Sequence, residues 1–308
     1  MNNKKAKKTI KTILISLVCI ILAGVIFIAG AQVMFYPHYK NSERSFSITN
    51  NSRSENITVM SCNVRTVSPF DMFKKSWFYR ADLIIKNIEA QSPDIIGFQE
   101  VTRFHYDYLT NCLEGYENVL TYRDGSYFSE GCPIFYNTSK FQLIDKGSFW
   151  LSSTPDEMSR DWGAACYRIC SFVVLKQLSD GKELAVFNTH LDHISEKARI
   201  NGIRLILEKL NAFGDYPCVI MGDFNAEESS ETYKAAAKLF DDAKYKAGIT
   251  MSGATYQNYG KSLNRENIDY FMVSKTGIDV SEYKIVDTTY DGIYPSDHFP
   301  IVIKIALS

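Results

Sequence analysis

The sequence carries almost no net charge, with 34 Lys and Arg against 35 Asp and Glu among 308 residues. A protein that grips a long duplex shows a basic footprint, because phosphate contacts release counterions and supply most non-specific affinity. Lys4, Lys5, Lys7, Lys8 and Lys11 all precede the longest apolar segment, so a total of −1 leaves −6 on everything after Lys11. High-affinity duplex binding is thereby disfavoured. The 7 cysteines show no CxxC spacing, so neither a zinc site nor a disulfide framework is readable. Cys62 and Cys218 lie in apolar runs and read as small buried hydrophobes rather than nucleophiles. No internal repeat or low-complexity array appears. With 45% hydrophobic and 13% aromatic residues the chain has ample material for a buried core.

Charge is also missing from Thr12 through Tyr36, a run long enough as a helix to cross about 30 Å of hydrocarbon. The expected organisation is a basic cytoplasmic tail at 1–11, a transmembrane helix at 12–36, a Ser- and Asn-rich tether at 37–55 and one folded domain at 56–308. The lysines stay cytoplasmic by the positive-inside tendency, and Phe35, Tyr36 and Tyr39 suit the far interface. The location implied is the cell membrane, single-pass, with the domain outside the cytoplasm. A cleaved signal peptide ending at Ala29-Gly30-Ala31 is the rival. Signal cores run to about 15 residues, and this one is longer, which favours a retained anchor. No second hydrophobic hairpin for insertion into a bilayer is visible, GxxxG is absent from the apolar run, and no obligate protein partner is evident.

Beyond the tether, short runs rich in Val, Ile and Phe read as strands: 57–64, 94–98, 133–136, 172–175, 184–189, 219–221, 268–273 and 301–305. Ala81, Ile84, Ile85 and Ile88 share one helical face, as do Ile203, Ile206, Leu207 and Leu210. Helices interleaved with strands in this proportion predict an α/β fold, without separating a doubly wound sheet from a two-sheet sandwich.

Several of these strands end in polar residues that packing does not require: Asn63, Glu100, His190, Asp223 and Asn225. Asp269 and the Asp297-His298 pair sit beside further apolar runs. Each alone reads more often as a cap or a turn residue than as a functional group. In chain order, however, Asn63, Gln99-Glu100, Asn188-Thr189-His190-Leu191, Gly222-Asp223-Phe224-Asn225, Ile268-Asp269-Tyr270 and Ser296-Asp297-His298 resemble the signature motifs of the endonuclease/exonuclease/phosphatase superfamily, which includes deoxyribonuclease I-like and exonuclease III-like enzymes.

The resemblance implies a four-layer α/β sandwich, two packed mixed sheets flanked by helices, beside the N-terminal transmembrane helix. It implies a divalent-metal-dependent phosphoesterase using Mg²⁺ or Mn²⁺, with Glu100 as the principal metal carboxylate and Asn63 and Asp297 beside it. Asp223 is then the base for the attacking water, and Asn225 and His190 contact the phosphoryl oxygens. Asp269 orients His298, which acts as base or as electrostatic stabiliser. Tyr136 and Arg168 are the expected phosphate contacts of lower rank, each with a structural reading beside it. The substrate is a phosphate ester: nucleic acid, nucleotide, lipid headgroup or sugar phosphate. Alternatives are an extracellular nuclease, a sphingomyelinase-like lipid phosphodiesterase, or a non-catalytic surface module that keeps the fold alone. His38, His105 and His193 are assigned no catalytic role.

Overall fold

The computed structural model describes residues 2–49, 54–214, 216–251, 253–262 and 267–308. Most of the uncharged run, from Thr12 to Val33, lies in one helix, α1 (Asn2–Val33), which is long and apolar enough to cross a membrane and exposes its large side chains from Ile10 to Phe27; Met34, Phe35 and Tyr36 follow it. A second helix, α2 (Tyr36–Ser45), occupies part of the expected tether, with Pro37 in its first turn, where a missing N–H costs nothing. Tyr39 is buried with its ring 4.7 Å from that of Tyr108, Ser42 Oγ lies 2.7 Å from the Tyr108 hydroxyl, and Asn111 donates to Glu43 at 2.6 Å. This part of the segment is therefore docked on the domain rather than solvated. Residues 50–53 of the same segment lie outside the described residues.

The domain opens with β1 (Ile57–Asn63), α3 (Trp77–Gln91), β2 (Ile95–Gln99), α4 (Arg103–Cys112), β3 (Tyr116–Val119) and β4 (Ile134–Asn137). It continues with β5 (Phe141–Trp150), β6 (Ile169–Gln177), β7 (Glu183–His190), α5 (Glu196–Ala212) and β8 (Cys218–Asp223). The rest is α6 (Glu231–Ala237), β9 (Phe240–Asp242), α7 (Ala243–Lys246), β10 (Ile249–Thr250), β11 (Asp269–Ser274), β12 (Ile278–Ile285) and β13 (Ile301–Leu307). Among the described residues these strands form two mixed sheets, ordered β10-β12-β13-β1-β2-β4-β3 and β5-β6-β7-β8-β11-β9. Parallel pairs β1/β2 and β7/β8 sit at the centre of each.

The expected four-layer sandwich is present. Ile57, Val59, Ile95, Val186, Val219, Phe271 and Ile303 meet between the sheets, α3 and α4 cover the first sheet with Ile84, Ile88, Tyr108 and Leu109, and α5 covers the second with Ile203, Ile206 and Leu210. Residues at i, i+3 and i+4 carry those helical stripes. Ser195 caps α5 by accepting from the Ala198 N–H, and Glu196 and Lys209 complement its dipole at either end.

Two features fix the packing at the functional end, one between the sheets and one within the second. Gln99 Nε2 donates across the interface to Asn188 Oδ1 at 2.7 Å, while Asn188 Nδ2 donates to the carbonyls of Phe98 and Pro133 at 2.8 and 2.9 Å. Buried amides so paired lock the register of one sheet against the other. Gly222 adopts φ +138°, and a Cβ there would collide with the Thr189 carbonyl oxygen on the adjacent strand. Only glycine fits. Gly222→Ala is expected to destabilise the domain by about 3 kcal/mol, read as a lowered midpoint in thermal unfolding followed by circular dichroism. An unchanged midpoint would contradict this backbone geometry.

Candidate active site

The functional side chains stand at the same end of both sheets because the strands that carry them are in register. Asn63 pairs with Gln99 at the ends of β1 and β2, which puts Glu100 one residue beyond. In the other sheet His190, Asp223 and Asp269 form one row across β7, β8 and β11. Asp297 and His298 enter from the loop before β13, where His298 bridges to Tyr256. Glu100 and Asn225 both take positive φ, 64° and 47°, conformations that cost non-glycine residues energy and cluster at functional sites.

Asn63 bridges the two sheets, its Nδ2 donating to Glu100 Oε1 and to Asp223 Oδ2, both at 3.1 Å. Glu100 Oε2 accepts from the Thr66 N–H at 2.7 Å. Burial pushes the Glu100 carboxyl upward, but the Thr66 N–H, Arg65, His298 and Asn63 outweigh it and hold it below the ordinary carboxylate range. Asp223 is different: burial, with Asp269 nearby, raises it to about 7, against the pull of His298. Asp297 is also raised, by burial first and by Glu100.

His298 Nδ1 lies 2.9 Å from Asp269 Oδ2, and its Nε2 lies 3.7 Å from Asp223 Oδ2. Burial disfavours the imidazolium, yet Asp269 and Asp223 overcome it and raise the ring to about 10. The ring is therefore a cation at neutral pH. His190 Nε2 sits 3.5 Å from Asp223 Oδ2 on the other side; burial, with Arg168 and Arg123, pushes it well below the ordinary histidine value, so it is neutral. The Asn225 N–H donates to Asp223 Oδ1 at 2.8 Å and Asn225 Nδ2 donates to the Leu191 carbonyl at 3.1 Å, which fixes both side chains.

The cleft above this row is lined by Glu100, Arg168, His190, Asp223, Asn225, Asp297 and His298. Asn63 and Asp269 lie behind its wall, where they orient Glu100, Asp223 and His298. Tyr136 is not there: the pleat of β4 turns its ring into the core between the sheets, 1% exposed, and its hydroxyl donates to Glu117 at 2.6 Å. Arg168 does face the cleft, with Nη2 3.1 Å from His193 Nδ1 and its buried Nε without a hydrogen-bond partner.

Arg65, Thr66, Arg123, Glu130 and Tyr256 also line the cleft without having been singled out in the sequence, as does His193, to which the sequence assigns no catalytic role. They stand on loops, where strand-end position gives no signal; for Arg65 the clue was its place two residues after Asn63. Arg123, like Arg168, has a buried Nε without a hydrogen-bond partner, while its Nη1 lies 2.7 Å from Glu130. Asp192 organises the wall, accepting from the N–H groups of Ala165, Cys166, Ile194 and Ser195. His105 has a structural role, bonded to Thr102 at the start of α4 and to the Arg65 carbonyl.

The donor set fits a hard divalent cation. Asp223, Asp269 and Asp297, all buried, and the half-buried Glu100 bring four carboxylates to one site, with His298 and Arg65 as the neighbouring cations. Such a concentration of oxygen anions suits Mg²⁺ or Mn²⁺ and lacks the thiolates of a soft-metal site. Asp223, Asp269 and His298 also place ligand atoms within 4.8 Å of one another, and Nδ1 of His298 is paired with Asp269 at 2.9 Å.

A profile of the Endonuclease/Exonuclease/phosphatase family matches residues 60–298, from β1 to His298. An endonuclease/exonuclease/phosphatase from Bacteroides vulgatus is 29% identical with a TM-score of 0.78, over 82% of this chain and 99% of that one. A mannosyl-6-phosphatase from Bacteroides thetaiotaomicron is 31% identical with a TM-score of 0.74, over 82% and 100%. Human Nocturnin is 24% identical over 257 residues, 73% of this chain but 57% of Nocturnin itself.

Proposed function

The chain belongs to the endonuclease/exonuclease/phosphatase family, whose members hydrolyse phosphoester bonds with a divalent metal, and from that premise we propose that it is a Mg²⁺-dependent phosphoesterase anchored to the cell membrane and acting outside the cytoplasm. The observation that carries the activity is the convergence of Glu100, Asp223 and His298, from three distant stretches of chain, on one cleft.

In this reading Glu100, with Asn63 and Asp297, holds the ion, which when bound neutralises charge on the phosphate oxygens and stabilises the leaving oxygen. Asp223 accepts the proton of the attacking water; its carboxyl is poised near neutrality and fixed by the Asn225 N–H. His298, kept cationic by Asp269, offers positive charge where negative charge grows at phosphorus. His190 contributes a neutral ring from the other side. Arg168 and Arg123 offer N–H groups to a phosphoryl oxygen from the cleft wall.

The anchor is supported by the length of α1 and by its seat on the domain, where Ala31 and Gln32 are buried. The lysines ahead of it orient the amino terminus to the cytoplasm. The activity is tested by assaying the full chain in detergent on bis(p-nitrophenyl) phosphate. Turnover is expected with Mg²⁺ and a loss of about 100-fold or more on adding EDTA; metal-independent turnover would overturn the mechanism.

A further inference from the structure

Two loops form lips of the cleft, and both expose aromatic side chains to solvent. The loop from β1 to α3 gives Arg65 and Thr66 to the cleft wall and then presents Phe70 and Phe73, 82% and 46% exposed. The loop between the cleft residues Arg123 and Glu130 presents Tyr127 and Phe128, 62% and 60% exposed. Burying such a side chain gains about 1.5 to 3 kcal/mol over leaving it in water, and large apolar residues clustered beside a polar cleft mark an interaction surface.

The apolar helix identifies what they meet. The Phe27 ring of α1 contacts that of Phe73 edge-on at 6.2 Å. Gln32 Nε2 donates to the carbonyls of Ser68 and Asp71 at 2.7 and 2.9 Å, and Ser76 Oγ donates to the Gln32 carbonyl at 3.0 Å. A span of about 20 residues counted from the end of the basic tail reaches its outer boundary near Gln32. Phe73, in contact with Phe27 more than one turn earlier, then stands at the depth where acyl chains meet headgroups. The second lip is joined to this one by successive ring contacts, from Tyr127 and Phe128 to Phe104, from Phe104 to Phe78, and from Phe78 to Tyr36 just past the end of α1. Arg103 lies over the Tyr127 ring and Lys74 over the Tyr79 ring, so cations border the aromatic rim, as in the interfacial belts that anchor membrane proteins.

We infer that the mouth of the cleft is seated on the outer face of the bilayer that α1 crosses, and that the phosphoester it hydrolyses is carried by a membrane lipid headgroup. This rests on the phosphoesterase and anchor readings above. A polymer in solution would have to pass between the lips and the membrane, against a domain of net charge −6 once the five N-terminal lysines are set aside from a total of −1. A lipid headgroup is already there.

The test uses the full chain in phosphatidylcholine vesicles containing phosphatidate, phosphatidylglycerol or sphingomyelin, with bis(p-nitrophenyl) phosphate as the soluble comparison. The double variant Phe70→Ser, Phe128→Ser is expected to lose about tenfold or more on the vesicle-borne ester and nothing on the soluble one. Equal losses, no loss, or a wild type that cleaves the soluble ester and none of the lipids would overturn the assignment. A second arm reads the seat without chemistry: the indole added by Phe70→Trp is expected to be quenched by shallow-brominated phosphatidylcholine beyond the wild-type background, and unchanged quenching would overturn the seat. If no ester of either kind is turned over, the phosphoesterase reading fails, and the quenching result still decides the seat.

Discussion

Glu100→Gln is expected to lower kcat/KM for bis(p-nitrophenyl) phosphate by about 10³-fold or more, while the fold survives. The carboxylate is half-buried and accepts from the Thr66 N–H with one oxygen and from Asn63 Nδ2 with the other. Glutamine keeps one acceptor but turns an amide donor toward a neighbouring donor, and it removes the charge proposed to bind the ion. It also relieves repulsion, because Glu100 is one of the groups that push Asp223 and Asp297 upward. The charge of Glu100 is nonetheless a net stabiliser, since its own neighbours hold it below the ordinary carboxylate range, so without metal the variant should melt somewhat below the wild type while remaining folded. Added Mg²⁺ should raise the midpoint of the wild type but not that of the variant, since an ion bound only to the folded state stabilises it by mass action. Full activity in Glu100→Gln would end the metal-carboxylate assignment.

Asp223→Asn is expected to lower kcat by about 10² to 10⁴-fold with little change in KM. Asn63 Nδ2 reaches one of its oxygens and the Asn225 N–H the other, with His190 and His298 3.5 and 3.7 Å away. Asparagine has nearly the same shape and retains the acceptor facing Asn225, so substrate still binds. What it lacks is the capacity to take a proton from water. Steady-state kinetics separate the two effects. A rise in KM at constant kcat would make Asp223 a binding residue and move the role of base elsewhere.

The sequence revealed the site better than its surroundings, and the reason is geometric. Asn63, Glu100, His190, Asp223 and Asp269 end apolar runs, so each is legible as a polar residue at a strand terminus, and parallel or antiparallel pairing then brings the termini together. Tyr136 shows the limit: β4 runs antiparallel to β2, so Tyr136 pairs with Ile95 at the end of the sheet away from Glu100, which the run of residues alone does not reveal. Strand β12 alternates apolar and polar residues, but a bulge between Val280 and Glu282 shifts the period and hides it. Strand β5 has its apolar residues at the two ends, and Asp145 to Ser148 with a bulge after Leu143 break the alternation between them. Helix α2 gave little signal because Tyr39 does much of its burying and Ser42 and Glu43 dock through hydrogen bonds. The exposed aromatics of the lips come singly or in pairs on loops, so no hydrophobic hairpin announces them.

The central claim is that one cation binds where Glu100, Asn63 and Asp297 meet. Anomalous scattering from crystals of the full chain soaked in Mn²⁺ tests it most directly. A peak beside the Glu100 carboxylate, lost in Glu100→Gln, is the predicted result; a peak held by Asp269 and His298 instead, or none in the cleft, would contradict it.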